Sequence, residues 1–83
     1  MVILEITKSN RFIRAYEKID KSVKIKIDKI LKRIINNPEI GKPMKYSRKG
    51  TREVYIKPFR LSYEYFRERN LIYLLDLYHK DEQ

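Results

Sequence analysis

Gly50–Lys80, GTREVYIKPFRLSYEYFRERNLIYLLDLYHK, decides the fold. It reads as three strands, EVYI (53–56), RLSYEY (60–65) and LIYLLDLYH (71–79). β-Branched and aromatic residues fill each run, while Pro58 and Asn70 punctuate them. Proline has no amide to give to a ladder, so Pro58 belongs in the turn. The last run carries apolar residues on both faces (Leu71, Ile72, Tyr73, Leu74, Leu75, Leu77), as a central strand does. Basic side chains sit at the strand ends: Lys57 and Arg60 beside the first turn, His79 and Lys80 at the exit of the last strand. Antiparallel strands joined by tight turns bring such ends together into one cationic patch.

Upstream, Val2–Thr7 (VILEIT) has the composition of a further strand. Ser9 is placed to cap a helix whose apolar residues Phe12, Ile13, Tyr16 and Ile19 recur at helical spacing. Asp20-Lys21 reads as a short break, after which Ser22 is expected to cap a second helix. Val23, Ile27, Ile30, Leu31, Ile34 and Ile35 hold one face of that helix, and Lys24, Lys26, Asp28, Lys29, Lys32 and Arg33 cover the rest. Asn36-Asn37-Pro38 stops it, with asparagine suited to a left-handed cap and proline disfavouring helix in the residue before it. Residues 39–52 are loop-like, with a short strand expected around Met44–Tyr46. The expected architecture is a single α/β (α+β) domain over residues 1–83, ordered β-α-α-β-β-β. A helical hairpin packs on a mainly antiparallel sheet, and the first strand joins in parallel beside the last.

A net charge of +9 on 83 residues is the dominant global property. Residues 1–40 hold ten basic and five acidic groups, and residues 41–80 ten and four, so the charge is spread along the chain rather than held in a tail. A folded domain this basic attracts polyanions. The absence of cysteine excludes disulfides and thiolate metal sites, and a single histidine argues against a histidine zinc cluster. No metal and no cofactor is implied. There is neither a membrane-length apolar run nor a signal-peptide pattern, so a cytoplasmic protein with no membrane partner is expected.

The chemistry-bearing residues are a cationic cluster with aromatics among it: Lys45, Tyr46, Arg48, Lys49, Arg52, Tyr55, Lys57, Arg60, His79 and Lys80. Lysine and arginine supply phosphate contacts, and tyrosine faces stack on unpaired bases, which suits RNA or single strands. Tyr55 shares strand parity with Lys57 and is the tyrosine best placed for such a role, while Tyr16, Tyr63 and Tyr73 are assigned to packing. His79 is the only side chain whose ordinary pKa lies near neutrality, which suits a proton shuttle in phosphodiester cleavage.

Four segments taken in order, NNPEIG (36–41), GTR (50–52), RLSYEY (60–65) and LLDLYHK (74–80), make the chain resemble the RelE/ParE toxin superfamily of type II toxin–antitoxin systems. The resemblance runs from about residue 9 to 80. It implies the same β-α-α-β-β-β fold. In the RelE branch it implies ribosome-dependent endonucleolytic cleavage of messenger RNA, with Lys57, Arg60 and the His79-Lys80 pair around the scissile phosphate. Lys45, Arg48, Arg52 and Tyr55 are the expected RNA-binding residues. Lys80 stands where the family has an arginine, and Tyr55 where many of its nucleases have another basic residue. ParE-type relatives inhibit DNA gyrase instead, and a plain basic RNA-binding module is the third reading. The resemblance further implies a cognate antitoxin, an acidic wrapping segment with an amphipathic helix, besides the ribosome and messenger RNA as partners.

Overall fold

The computed structural model describes residues 5–46 and 49–82. In chain order these form β1 (Glu5–Lys8), α1 (Asn10–Glu17), α2 (Lys21–Asn36), β2 (Lys42–Pro43), β3 (Thr51–Ile56), β4 (Phe59–Phe66) and β5 (Leu71–His79), with 3-10 turns at Arg67–Arg69 and Lys80–Glu82. One five-stranded sheet results, in the order β1-β5-β4-β3-β2. β1 runs parallel to β5 and the remaining neighbours are antiparallel, as expected from the sequence. Residues 2–4 of the expected first strand lie outside the described residues. The expected strand at Met44–Tyr46 is instead Lys42–Pro43; Met44 follows it and donates its amide to the Thr51 carbonyl at 3.0 Å.

Local chemistry accounts for most of the boundaries. Ser9 is extended (φ −71°, ψ 159°) and its Oγ accepts the Phe12 amide at 3.0 Å, the cap the sequence predicts. The same hydroxyl donates to the Leu75 carbonyl at 2.6 Å. Ser22 does not cap: the cap is Asp20, two residues earlier, whose carbonyl accepts the Val23 and Lys24 amides, and α2 begins at Lys21. Asn37 ends α2 at φ −143°, ψ 86°, not in the left-handed region, because Pro38 presses the residue before it into extended backbone. Asn70 does adopt the left-handed conformation, at φ 53°, and turns β4 into β5.

The core lies between the helices and one face of the sheet. Phe12, Ile27 and Ile34 from the helices meet Ile56, Leu61, Tyr63, Ile72, Leu74 and Leu77 from the strands. Alternation along β5 breaks once: Tyr63 pairs with Leu74 and Ser62 with Asp76, leaving Leu75 as an extra residue. That bulge lets Ile72, Leu74 and then Leu77 all point inward. The Ser9 hydroxyl takes up the bulge's carbonyl, so the irregularity leaves no unpaired acceptor there.

Tyr63 carries a second tie. Its hydroxyl donates to the Pro38 carbonyl (2.7 Å) and accepts the Gly41 amide (2.9 Å). Arg52 Nη1 donates to the carbonyls of Glu39 (3.0 Å) and Gly41 (2.8 Å). The loop leaving α2 is thus held from beneath by side chains of β3 and β4. Burial pushes the Tyr63 phenol above its ordinary pKa, outweighing the opposite pulls of the Gly41 amide and the Arg52 cation.

Candidate functional site

The β3–β4 turn and the exit of β5 form one end of the sheet. The Lys80 amide donates to the Pro58 carbonyl at 3.0 Å, which fixes the two segments against each other. Lys57 is exposed in the turn and Lys80 is exposed just past β5. Arg60 pairs with Tyr55 on one side and with Tyr78 on the other, so these three side chains share the face of the sheet away from the helices. His79 pairs with Phe59 and belongs to the helix-side face. Lys57, Arg60, His79 and Lys80 therefore gather at one end of the sheet, but Arg60 and His79 flank it from opposite faces.

His79 packs edge-on against Phe59, with ring centroids 5.5 Å apart. Its Nδ1 accepts the Asp81 amide at 3.2 Å and lies 3.6 Å from the Asp81 carboxylate. An accepting Nδ1 places the proton of the neutral ring on Nε2. Arg60 lies over the Tyr55 ring, 5.6 Å from its centroid, and Tyr55 is 48% exposed. Its Nη1 is 3.5 Å from Oε1 of Glu53, and its Nε is buried with no hydrogen-bond partner among the described residues.

The other expected binding residues do not join this end. Arg52 lies on the helix-side face near the start of β3, its guanidinium directed to the Glu39 and Gly41 carbonyls. Lys45 is exposed beside Met44, which is bonded to Thr51 at that same start. A six-residue strand separates the two ends of β3 by about 17 Å. The single patch expected from the sequence is thus divided into two. Arg48 lies outside the described residues. Glu53 and Tyr78 were passed over by sequence reading, which assigned them only to strands. An acidic residue inside a strand of a strongly basic chain was the one available signal.

Two helices laid on a five-stranded mixed sheet are the architecture that the resemblance to the RelE/ParE superfamily implies. A profile of the ParE toxin of type II toxin–antitoxin systems, parDE, matches residues 5–83, and the chain belongs to that family. The YoeB dimer from Staphylococcus aureus is 30% identical, with a TM-score of 0.75 over 93% of this chain and 98% of that one. The RelBE2 toxin–antitoxin complex from Mycobacterium tuberculosis aligns with a TM-score of 0.84 at 19% identity, over 99% and 97% of the two chains. The intact RelBE toxin–antitoxin complex from E. coli aligns at 0.79 and 16% identity, over 94% and 96%. No curated protein matches the sequence significantly.

Proposed function

We propose that the chain is a ribosome-dependent messenger RNA endonuclease, held inactive by its cognate antitoxin. The observation that carries this reading is the convergence of Lys57, Arg60, His79 and Lys80 on the turn and strand exit joined by the Pro58–Lys80 hydrogen bond. Cleavage by the RNA's own 2′-hydroxyl needs a base for that proton, cations for the charge developing on phosphorus, and an acid for the leaving oxygen. Arg60 has the planar fork that suits phosphate oxygens. Lys57, exposed in the turn, supplies a second cation or the base. His79, through Nε2, or Lys80 supplies the acid. An RNA strand laid across the sheet end meets groups from both faces.

The antitoxin reading rests on the same features and on family membership. RelBE structures are toxin–antitoxin complexes. An acidic segment would cover the cations here, and its apolar side chains would cover exposed Ile13, Ile25, Ile40 and Tyr55.

Two observations favour a second reading. The matching profile is that of ParE, and His79 stands behind Phe59 on the face opposite Arg60. A non-catalytic inhibitor of DNA gyrase needs no such pair on one face. Mapping messenger RNA 5′ ends within minutes of induced expression separates the two. New cuts inside translated frames, absent for Arg60→Ala, are the expected result. Growth arrest with intact messages would overturn the nuclease reading in favour of the topoisomerase one.

A further inference from the structure

Glu53 is the one charged side chain among the described residues that is buried, at 7% exposure, and it is not in the hydrophobic core. It sits mid-strand on the open face of the sheet, opposite Ser62 on β4 and the exposed Lys42 on β2. Both carboxylate oxygens are engaged: Oε2 accepts the Tyr78 hydroxyl, and Oε1 faces Arg60 Nη1. Glu53 is on β3 and Tyr78 on β5, so the two reach each other across β4, a span of about 10 Å. The crossing is possible because the residue beneath is a serine. Thr51, Glu53, Ser62 and Tyr78 line a hollow of about 410 Å³ there.

A carboxylate at this position lowers the positive potential beside the strand-end cations, and so weakens attraction for a polyanion. What it contributes instead is orientation. Arg60 is 37% exposed and would otherwise be a long, mobile side chain. The carboxylate holds one Nη, the Tyr55 ring lies against the guanidinium, and the Tyr78 hydroxyl keeps the carboxylate from turning. Because Nε is sealed, an anion meets Arg60 through its Nη atoms.

We propose that Glu53 is a positioning residue, buttressed by Tyr78, that aims the Arg60 guanidinium at a phosphate. Its functional meaning rests on Arg60 being the phosphate clamp. Two readouts keep the proposal and that reading apart. The first is 15N NMR of the Arg60 guanidinium in the free protein. Resolved, slowly exchanging Nη signals are expected in the wild type, averaging in Glu53→Gln and partly in Tyr78→Phe, which leaves the charge unchanged. The second is affinity for a 2′-O-methyl oligoribonucleotide, which cannot be cleaved through its 2′-oxygen. Glu53→Gln is expected to weaken binding about tenfold although it removes a negative charge, a coupling of ordinary size between contacting residues. In an Arg60→Ala background the same substitution is expected to leave binding unchanged or tighten it.

Averaged Arg60 signals in the wild type would overturn the proposal. So would tighter binding by Glu53→Gln to the same extent in both backgrounds, since that marks Glu53 as a plain counter-charge. If Glu53→Gln frees the guanidinium while Arg60→Ala leaves oligonucleotide affinity untouched, the positioning stands and the phosphate-clamp reading fails.

Discussion

The Gly41 amide and the Tyr63 hydroxyl are 2.9 Å apart, and a Cβ on Gly41 would stand 2.7 Å from that oxygen and 2.8 Å from the ring. This approach of the post-helical loop to the sheet therefore allows only glycine. Three segments that identify the family, NNPEIG, GTR and RLSYEY, meet here through Pro38, Gly41, Arg52 and Tyr63. Much of the family pattern in this chain is thus a device for tying the loop after α2 to the sheet, physically separate from the cationic end.

Gly41→Ala has to push a fully buried tyrosine out of place, and overpacking of this kind costs roughly 1–3 kcal/mol. Tyr63→Phe keeps the ring but leaves the Pro38 carbonyl and the Gly41 amide without their partner, a loss of about 1–3 kcal/mol. Because the two residues touch, the double variant should lose less than the sum of the single losses. Urea unfolding of the four proteins measures this. Additive losses would show that the contact is not what the glycine protects.

Tyr63 also sets an alkaline limit. Its folded pKa is raised by burial above the ordinary tyrosine value of about 10. The folded state therefore holds the phenolic proton more tightly than the unfolded chain does. Its contribution is complete below about pH 10 and is lost as the pH climbs through the raised folded value. Tyr16 is shifted the same way, first by desolvation and then by its bond to Asp28, so it adds to the effect. Stability should fall steeply above about pH 10, with a shallower fall in Tyr63→Phe. Superimposable pH profiles for the two proteins would remove Tyr63 from the account.

Ser9→Ala should cost about 0.5–2 kcal/mol for the helix cap, at the upper end because the Leu75 bulge carbonyl loses its donor as well. Thermal unfolding reads the total. Amide exchange at Phe12 and near Leu75 shows whether helix and bulge loosen together, as one shared hydroxyl requires. Faster exchange at Phe12 alone would place the whole cost in the cap.

The strands and their turns were legible because their causes are local. β-Branched and aromatic runs, a proline without an amide and an asparagine tolerant of φ 53° act within a few residues of where they stand. The parallel first strand followed from chain connectivity. Leu75 as a bulge was not legible, because alternation breaks only relative to the register of β4. Arg52 looked like a phosphate ligand since nothing nearby in sequence shows the two carbonyls that take its fork. Glu53 was missed for the same reason: its partners come from β4 and β5.

Arg52 and Arg60 lie on the same pair of strands, and the structure divides their roles. Arg52→Ala should unfold more readily, by roughly 1.5–3 kcal/mol for the charged hydrogen bonds it makes to the loop, while residual folded protein keeps its toxicity. Arg60→Ala takes a cation from the buried Glu53 carboxylate and should cost roughly 1–3 kcal/mol, a loss that Glu53→Gln in the same chain should partly restore. Arg60→Ala should also abolish growth arrest on induced expression. An Arg60→Ala protein that stays fully toxic would sink the proposed site.

His79 tests catalysis itself. A proton donor at the leaving oxygen typically contributes about 10²–10⁴-fold to rate, so His79→Gln should slow message cleavage within that range if His79 is the acid. As the acid the ring is an imidazolium, whose Nδ1–H turns to the Asp81 carboxylate 3.6 Å away and stays on the ring while the Nε2 proton goes to the leaving oxygen. Glutamine can hydrogen-bond but cannot donate a proton to a leaving alkoxide, so oligoribonucleotide binding should change little while cleavage collapses. An unchanged cleavage rate would move the acid to Lys80. Toxicity unaffected by His79→Gln, Lys57→Ala and Lys80→Ala alike would favour inhibition by binding alone, since a surface that only docks on its target has no proton to transfer.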